Sequence, residues 1–101
     1  MSAYIISEKA LEDINKIWIY TAEIWSIEQA DRYYNLIFDE IEYITRNFEM
    51  ARDFGSVRKS YRFSKVTSHL IFFKKNKYNE IEVIRVLHER MDIENRLTDK
   101  K

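Results

Sequence analysis

The chemistry this sequence could perform rests on few side chains. His69 and His88 are its two histidines, the residue type whose ordinary pKa lets it move protons near neutral pH. Around them in the second half of the chain lie Arg58, Arg62, Lys65, Arg85 and Arg90. Cations on a sheet face with a histidine at its end could hold RNA phosphate and cut it by general acid–base chemistry. The competing reading makes these charges the polar half of alternating strands, paired with Glu80, Glu82, Glu89 and Asp92. A balance of 17 basic against 17 acidic residues favours the second reading, because it leaves no field to steer a polyanion. Isolated histidines and scattered carboxylates, with no cysteine, give no metal site. No cofactor is expected either. Serines such as Ser7, Ser26, Ser56, Ser60, Ser64 and Ser68 have no base at a local spacing, and a single glycine, Gly55, cannot build a P-loop, a dinucleotide fingerprint or a nucleophile elbow.

Positioning any of these groups requires a folded core. The 101 residues are 46% hydrophobic and 15% aromatic, enough for one domain spanning 1–101 and too apolar for a disordered tail. No apolar run approaches the length of a membrane span, and no basic and apolar leader opens the chain. A cytoplasmic protein is expected.

Tyr4-Ile5-Ile6 suggests a short strand. Ser7 can cap a helix whose stripe runs Ala10, Leu11, Ile14, Trp18, Thr21 and Trp25. Ser26-Ile27-Glu28-Gln29 matches a capping box before a second stripe, Ala30, Tyr34, Ile37, Ile41 and Ile44. So short a turn between them implies an antiparallel helix hairpin. Residues 48–59 lose periodicity and are expected to form a loop. Three runs of period two follow, Ser60 to Val66, His69 to Lys75 and Glu80 to His88, an antiparallel meander. One helical turn is expected near residues 92–97. The order β-α-α-β-β-β predicts an α+β fold, with the helix hairpin on one face of a small antiparallel sheet.

Strict alternation puts Leu70 and Phe72 on one face of the central strand, Ile71 and Phe73 on the other. On the last strand it groups Ile81, Val83 and Leu87 against Ile84 and Val86. Both faces are apolar, the hairpin covers only one, and the tail is too small to hide the second. Uncovered apolar surface marks a partner site. The first helix has a similar surplus, Trp18, Tyr20 and Trp25 beside Ile17, Ile19 and Ile24, wider than one core contact needs. A partner helix in a groove lined by Trp18, Tyr20, Trp25, Leu70 and Phe72 would account for both.

The same residues resemble a known family. Trp18-Ile19-Tyr20-Thr21, Gln29-Ala30-Asp31-Arg32-Tyr33, Tyr61-Arg62, Ser68-His69-Leu70-Ile71-Phe72-Phe73 and Ile84-Arg85-Val86-Leu87-His88-Glu89-Arg90-Met91-Asp92 occur in the order seen in the ParE branch of the RelE/ParE toxin superfamily. The resemblance runs from Tyr4 to about Leu97. It implies a toxin of a bacterial type II toxin–antitoxin pair, bound by a ParD-like antitoxin and poisoning DNA gyrase without being an enzyme. It also implies target or antitoxin contacts at Arg58, Tyr61, Arg62, Arg85, His88, Arg90 and Met91, the last three on the tail linked to toxicity. The RelE branch offers the alternative, a ribosome-dependent mRNA endoribonuclease using Arg62, Arg85 and His88. Against it, this chain is neutral and has no tyrosine beside His88. It departs from the ParE pattern in lacking proline in the loop before Gly55.

Overall fold

The computed structural model describes residues 4–53, 59–91 and 93–97. Strand β1 (Tyr4–Ile6) leads into helices α1 (Glu8–Ile24) and α2 (Ile27–Arg46). A single 3₁₀ turn (Phe48–Met50) and a short strand β2 (Arg52–Asp53) follow, then β3 (Arg62–Val66), β4 (His69–Lys75), β5 (Ile81–His88) and a terminal helix α3 (Ile93–Leu97).

Both long helices start where a serine can satisfy their free amides. The Ser7 hydroxyl oxygen accepts from the Ala10 amide at 3.0 Å and the Ser26 oxygen from the Gln29 amide at 3.0 Å. Only half of the expected capping box forms, because the Gln29 carboxamide oxygen is taken by Arg32 at 2.9 Å. The Ser7 hydroxyl also donates to the Ile84 carbonyl at 2.9 Å, which ties the start of α1 to β5. Ser64 likewise donates to Glu40, pinning α2 to β3.

The sheet order is β1-β5-β4-β3-β2. The meander pairs antiparallel as expected, but β1 runs parallel to β5, with Tyr4 opposite Ile81, so the sheet is mixed. The helix hairpin supplies the long connection that parallel neighbours require. Part of the expected 48–59 loop is ordered by Phe48, whose ring meets Phe73 edge-on at 5.7 Å and holds β2 beside β3.

One bulge redistributes the apolar residues of β5. Phe72 pairs with Arg85 but Phe73 with Val83, which leaves Ile84 as the extra residue. Val83 and Val86 therefore both join the core under the helices with Ile14, Ile37, Ile41, Ile71 and Phe73, while Ile84 and Leu87 take the opposite face. Strict alternation had grouped Val83 with Leu87, and a bulge is what alternation cannot register.

The opposite face is also less open than its sequence implied. Ile93 and Leu97, four apart on α3, turn one side toward it, and Leu97 packs in a second core with Tyr61, Phe72 and Leu87. Phe72 is completely buried and Tyr61 nearly so. Leu70, Phe63 and Ile84 remain half-buried at its margin. The excess on the helix hairpin stands: Ile19, Tyr20, Ile24 and Trp25 are all exposed, Trp25 at 74%.

Candidate functional site

A groove of about 460 Å³ opens between α1 and the end of β5. Asp13, Lys16, Ile17 and Tyr20 reach it from α1, at the i, i+3, i+4, i+7 spacing of one helix face. His69 comes from β4, Val86 and His88 from β5, and Arg90 and Met91 from the turn beyond. That turn is held by backbone bonds from Glu89 to Ser68 and from Met91 to His88, and by a 2.9 Å ion pair between Lys65 and Glu89. The hydrogen bond from Lys65 holds the Glu89 carboxyl below its ordinary pKa.

Asp13 closes the back of the groove. Its carboxylate accepts two hydrogen bonds from the Arg85 guanidinium, at 2.8 and 3.0 Å, and one from the Val86 amide at 3.0 Å. The amide lies on an edge of β5 that β1 does not reach, since β1 pairs only with residues 81–83. Arg85 is thus committed to joining α1 to β5.

His69 and His88 stand directly opposite each other on β4 and β5, their rings edge-to-face with centroids 5.1 Å apart. Their hydrogen bonds assign the protons. The Tyr33 hydroxyl donates to the Val66 carbonyl at 2.9 Å, so its oxygen accepts from His69 Nδ1 at 2.7 Å and leaves His69 Nε2 bare. The Arg90 amide donates to His88 Nδ1 at 3.0 Å, which places the His88 proton on Nε2. Burial, aided by His88, lowers the pKa of His69 to about 4, against the smaller opposing pull of Glu89 and Asp13. Burial also pushes the Tyr33 hydroxyl up. Both groups are neutral at physiological pH.

The fold brings together some of the residues singled out from sequence and separates others. His88, Arg90, Met91 and Tyr20 share the groove. Arg62 does not: it donates to the Ala51 carbonyl at 3.0 Å, lies 3.4 Å from Glu49 and covers the Phe48 ring. On β3 it sits four residues from Val66, which pairs with His69 in the row of His88. At the usual rise that separation is about 13 Å along the sheet. Arg62 therefore stands apart from His88, and Arg85 is committed to Asp13. Burial removes Tyr61 and Phe72 from the exposed contact surface, and Leu70 reaches it only in part. Trp18 is half-buried and donates through its indole N–H to Asp31 at 2.9 Å. It lines a separate groove with Asn15, Ile19 and Tyr34, and Trp25 stands at the tip of the hairpin. Arg58 lies outside the described residues. Among the described residues, no three potential metal ligands converge.

Sequence reasoning missed Asp13, Lys16 and Tyr33. The helical spacing of Asp13, Lys16, Ile17 and Tyr20 was available as a signal. Nothing local connects Tyr33 with His69, 36 residues away.

Comparison with known proteins places this architecture. The sequence pattern of the ParE toxin of type II toxin–antitoxin systems, parDE, matches residues 4–93. A Mycobacterium tuberculosis protein described as Toxin ParE1 is 31% identical over 95% of this chain and 98% of its own. A Caulobacter vibrioides protein of the same description is 33% identical, over 91% and 94%. A solved structure described as the chromosomal ParDE TA system from P. aeruginosa superposes with a TM-score of 0.74 at 17% identity, covering 87% of this chain and 96% of that one.

Proposed function

This chain belongs to the ParE toxin family of type II toxin–antitoxin systems, and from that premise we propose that it arrests growth by binding DNA gyrase, without catalysis of its own, and that a ParD-like antitoxin neutralises it in the cytoplasm. The observation that carries the reading is the exposed apolar surface of α1. Arg85 is held by Asp13 and Arg62 by Ala51 and Glu49, so both arginines of the endoribonuclease alternative are engaged within the fold. The endoribonuclease alternative would need Arg62 and Arg85 beside His88 at one phosphate. A protein-binding toxin needs apolar surface, and Ile19, Tyr20, Ile24 and Trp25 supply it, exposed among the described residues. No helix among the described residues is long and apolar enough to cross a membrane.

Induced expression in a bacterial host tests the reading. DNA synthesis should stop while messages stay full length, and co-expression of a ParD-like antitoxin should restore growth. Rapid message cleavage with DNA synthesis continuing would overturn it in favour of the RelE-type activity.

A further inference from the structure

The zero net charge of the chain conceals an uneven distribution. Residues 8–46, the helix hairpin, carry nine acids against four bases, whereas residues 52–90, from β2 through the turn after β5, carry ten bases against four acids. Much of the excess gathers at one corner of the sheet, where β3 begins and β4 ends. Extending the register from Arg62 opposite Phe73 brings Tyr61 level with Lys74 and Ser60 with Lys75. Arg52 on β2 pairs with Phe63, and Lys77 follows in the turn before β5. Arg52, Lys59, Lys75 and Lys77 are exposed and Lys74 half-buried, and none of the five forms an ion pair among the described residues. Four acids share this end. Glu49 faces Arg62, Glu80 accepts from Asn76 at 3.1 Å, Asp53 is itself engaged, and Glu82 stands opposite Lys74.

Aromatic rings hold these cations on both faces of the sheet. Arg52 lies over Phe63 at 5.9 Å and Lys74 over Tyr61 at 6.0 Å, on the face away from the helices. Arg62 and Lys75 lie over Phe48, each at 4.8 Å, on the helix face, and Lys77 lies 5.5 Å from the Tyr78 ring. Cations held in this way lose less freedom when an anion binds. They also cover the rings on which single-stranded nucleic acid would have to stack its bases. Met50 and Tyr78 are the exposed large apolar residues at this end, too few for the centre of a protein interface. Cations on both sides of one thin rim suit a groove walled by phosphates. The major groove of duplex DNA, about 12 Å wide, admits a two-stranded ribbon such as the β3–β4 pair.

We propose that this corner grips the phosphate backbone of duplex DNA through Arg52, Lys59, Lys74, Lys75 and Lys77. The acidic hairpin is repelled by the polyanion and turns away, which leaves the apolar surface of α1 free for a protein. Lys75 is six residues from His69 on β4, about 20 Å along the strand, so DNA at the corner leaves the groove at the other end of the sheet open. On the reading that gyrase is the target, on which this step rests, the chain touches the enzyme and its cleaved duplex together.

The test is fluorescence anisotropy of a labelled DNA duplex titrated with the full-length chain between about 50 and 200 mM salt. Four to five phosphate contacts make log K fall against log salt with a slope of about −4. Lys77→Gln, in the exposed turn, should reduce that slope by about 1, and the triple variant Lys74→Gln, Lys75→Gln, Lys77→Gln by about 3, each shown by thermal melting to be folded. Arg32→Gln, at the start of α2, should leave it unchanged. With gyrase and plasmid, the triple variant should need about tenfold more protein to accumulate linear DNA. No duplex binding by the native chain at low salt, or an equal loss of slope in Arg32→Gln, would overturn the corner as a site. Tighter binding of a single strand of the same length would overturn the choice of duplex. Undiminished trapping by the triple variant would overturn the contact inside the gyrase complex. Duplex binding with the expected slopes, but no linear DNA from the native chain with gyrase, would overturn the gyrase reading and leave the corner standing.

Discussion

Replacing Asp13 with alanine should cost more stability than any other single surface-facing change in this protein. Its carboxylate receives three hydrogen bonds, at 2.8, 3.0 and 3.0 Å, from Arg85 and the Val86 amide. Side-chain exposure is only 15% for Arg85 and 11% for Asp13. Asp13→Ala strands a guanidinium and a backbone amide at a place where water reaches poorly. Breaking one side of such a pair costs about 3–5 kcal/mol, a large part of the ~5–15 kcal/mol that holds a domain of this size folded. The melting temperature should fall by about 15 °C or more. Urea unfolding followed by circular dichroism should show a lower midpoint with unchanged slope. Asp13→Leu combined with Arg85→Met should recover most of the loss, since both buried charges go together and apolar volume replaces them. A loss below about 1 kcal/mol for Asp13→Ala would refute the structural role of the pair and return Arg85 to the candidates for target contact.

Three further outcomes follow from the same geometry. His88→Ala should leave growth arrest intact in a plate assay, because the proposed binding of gyrase requires no proton transfer by His88; abolished toxicity in a folded, antitoxin-binding variant would contradict this. Leu97→Ala should destabilise the fold by about 2–4 kcal/mol in urea melts, the cost of emptying a buried site, and should increase dye binding to the face around Phe72; an unchanged midpoint would mean that α3 does not cover that face. His69 is held neutral by burial and by His88, with Glu89 and Asp13 opposing and Tyr33 bonded to its Nδ1. Its folded pKa of about 4 lies below the ordinary 6.5, so the unfolded chain takes up the extra proton, and stability present above 6.5 is lost as pH falls toward 4. The full difference corresponds to about 3 kcal/mol at 1.36 kcal/mol per tenfold. Partial exposure to solvent reduces this to roughly 1–2 kcal/mol. Urea midpoints between pH 7.5 and 5 should show the loss in the native chain and not in His69→Gln; parallel curves would contradict it.

Much of the architecture could be read from local patterns. Ser7 and Ser26 mark helix starts because their side chains can reach amides within one turn, and β4 begins and ends where its alternation does. What escaped the sequence depends on contacts far apart in the chain. The bulge at Ile84 reverses the facing of part of β5 and is stabilised by Ser7, 77 residues away. The cover supplied by α3 depends on only two apolar side chains, Ile93 and Leu97, in a segment whose composition is otherwise polar. At the groove, His88, Arg90 and Met91 were legible as a run at the end of β5, and Tyr20 as surplus on α1. That these belong to one cavity, while Arg85 turns to Asp13 and Arg62 to Glu49, is a product of strand register and helix packing.

The central claim, a gyrase-directed toxin held in check by its antitoxin, is tested most directly by incubating the purified chain with gyrase, ATP and supercoilable plasmid. Supercoiling should fall and linear DNA should accumulate in the trapped cleavage complex, and prior addition of a ParD-like antitoxin should prevent both. Undiminished supercoiling without linear DNA, from a folded chain that cleaves message on ribosomes, would contradict it.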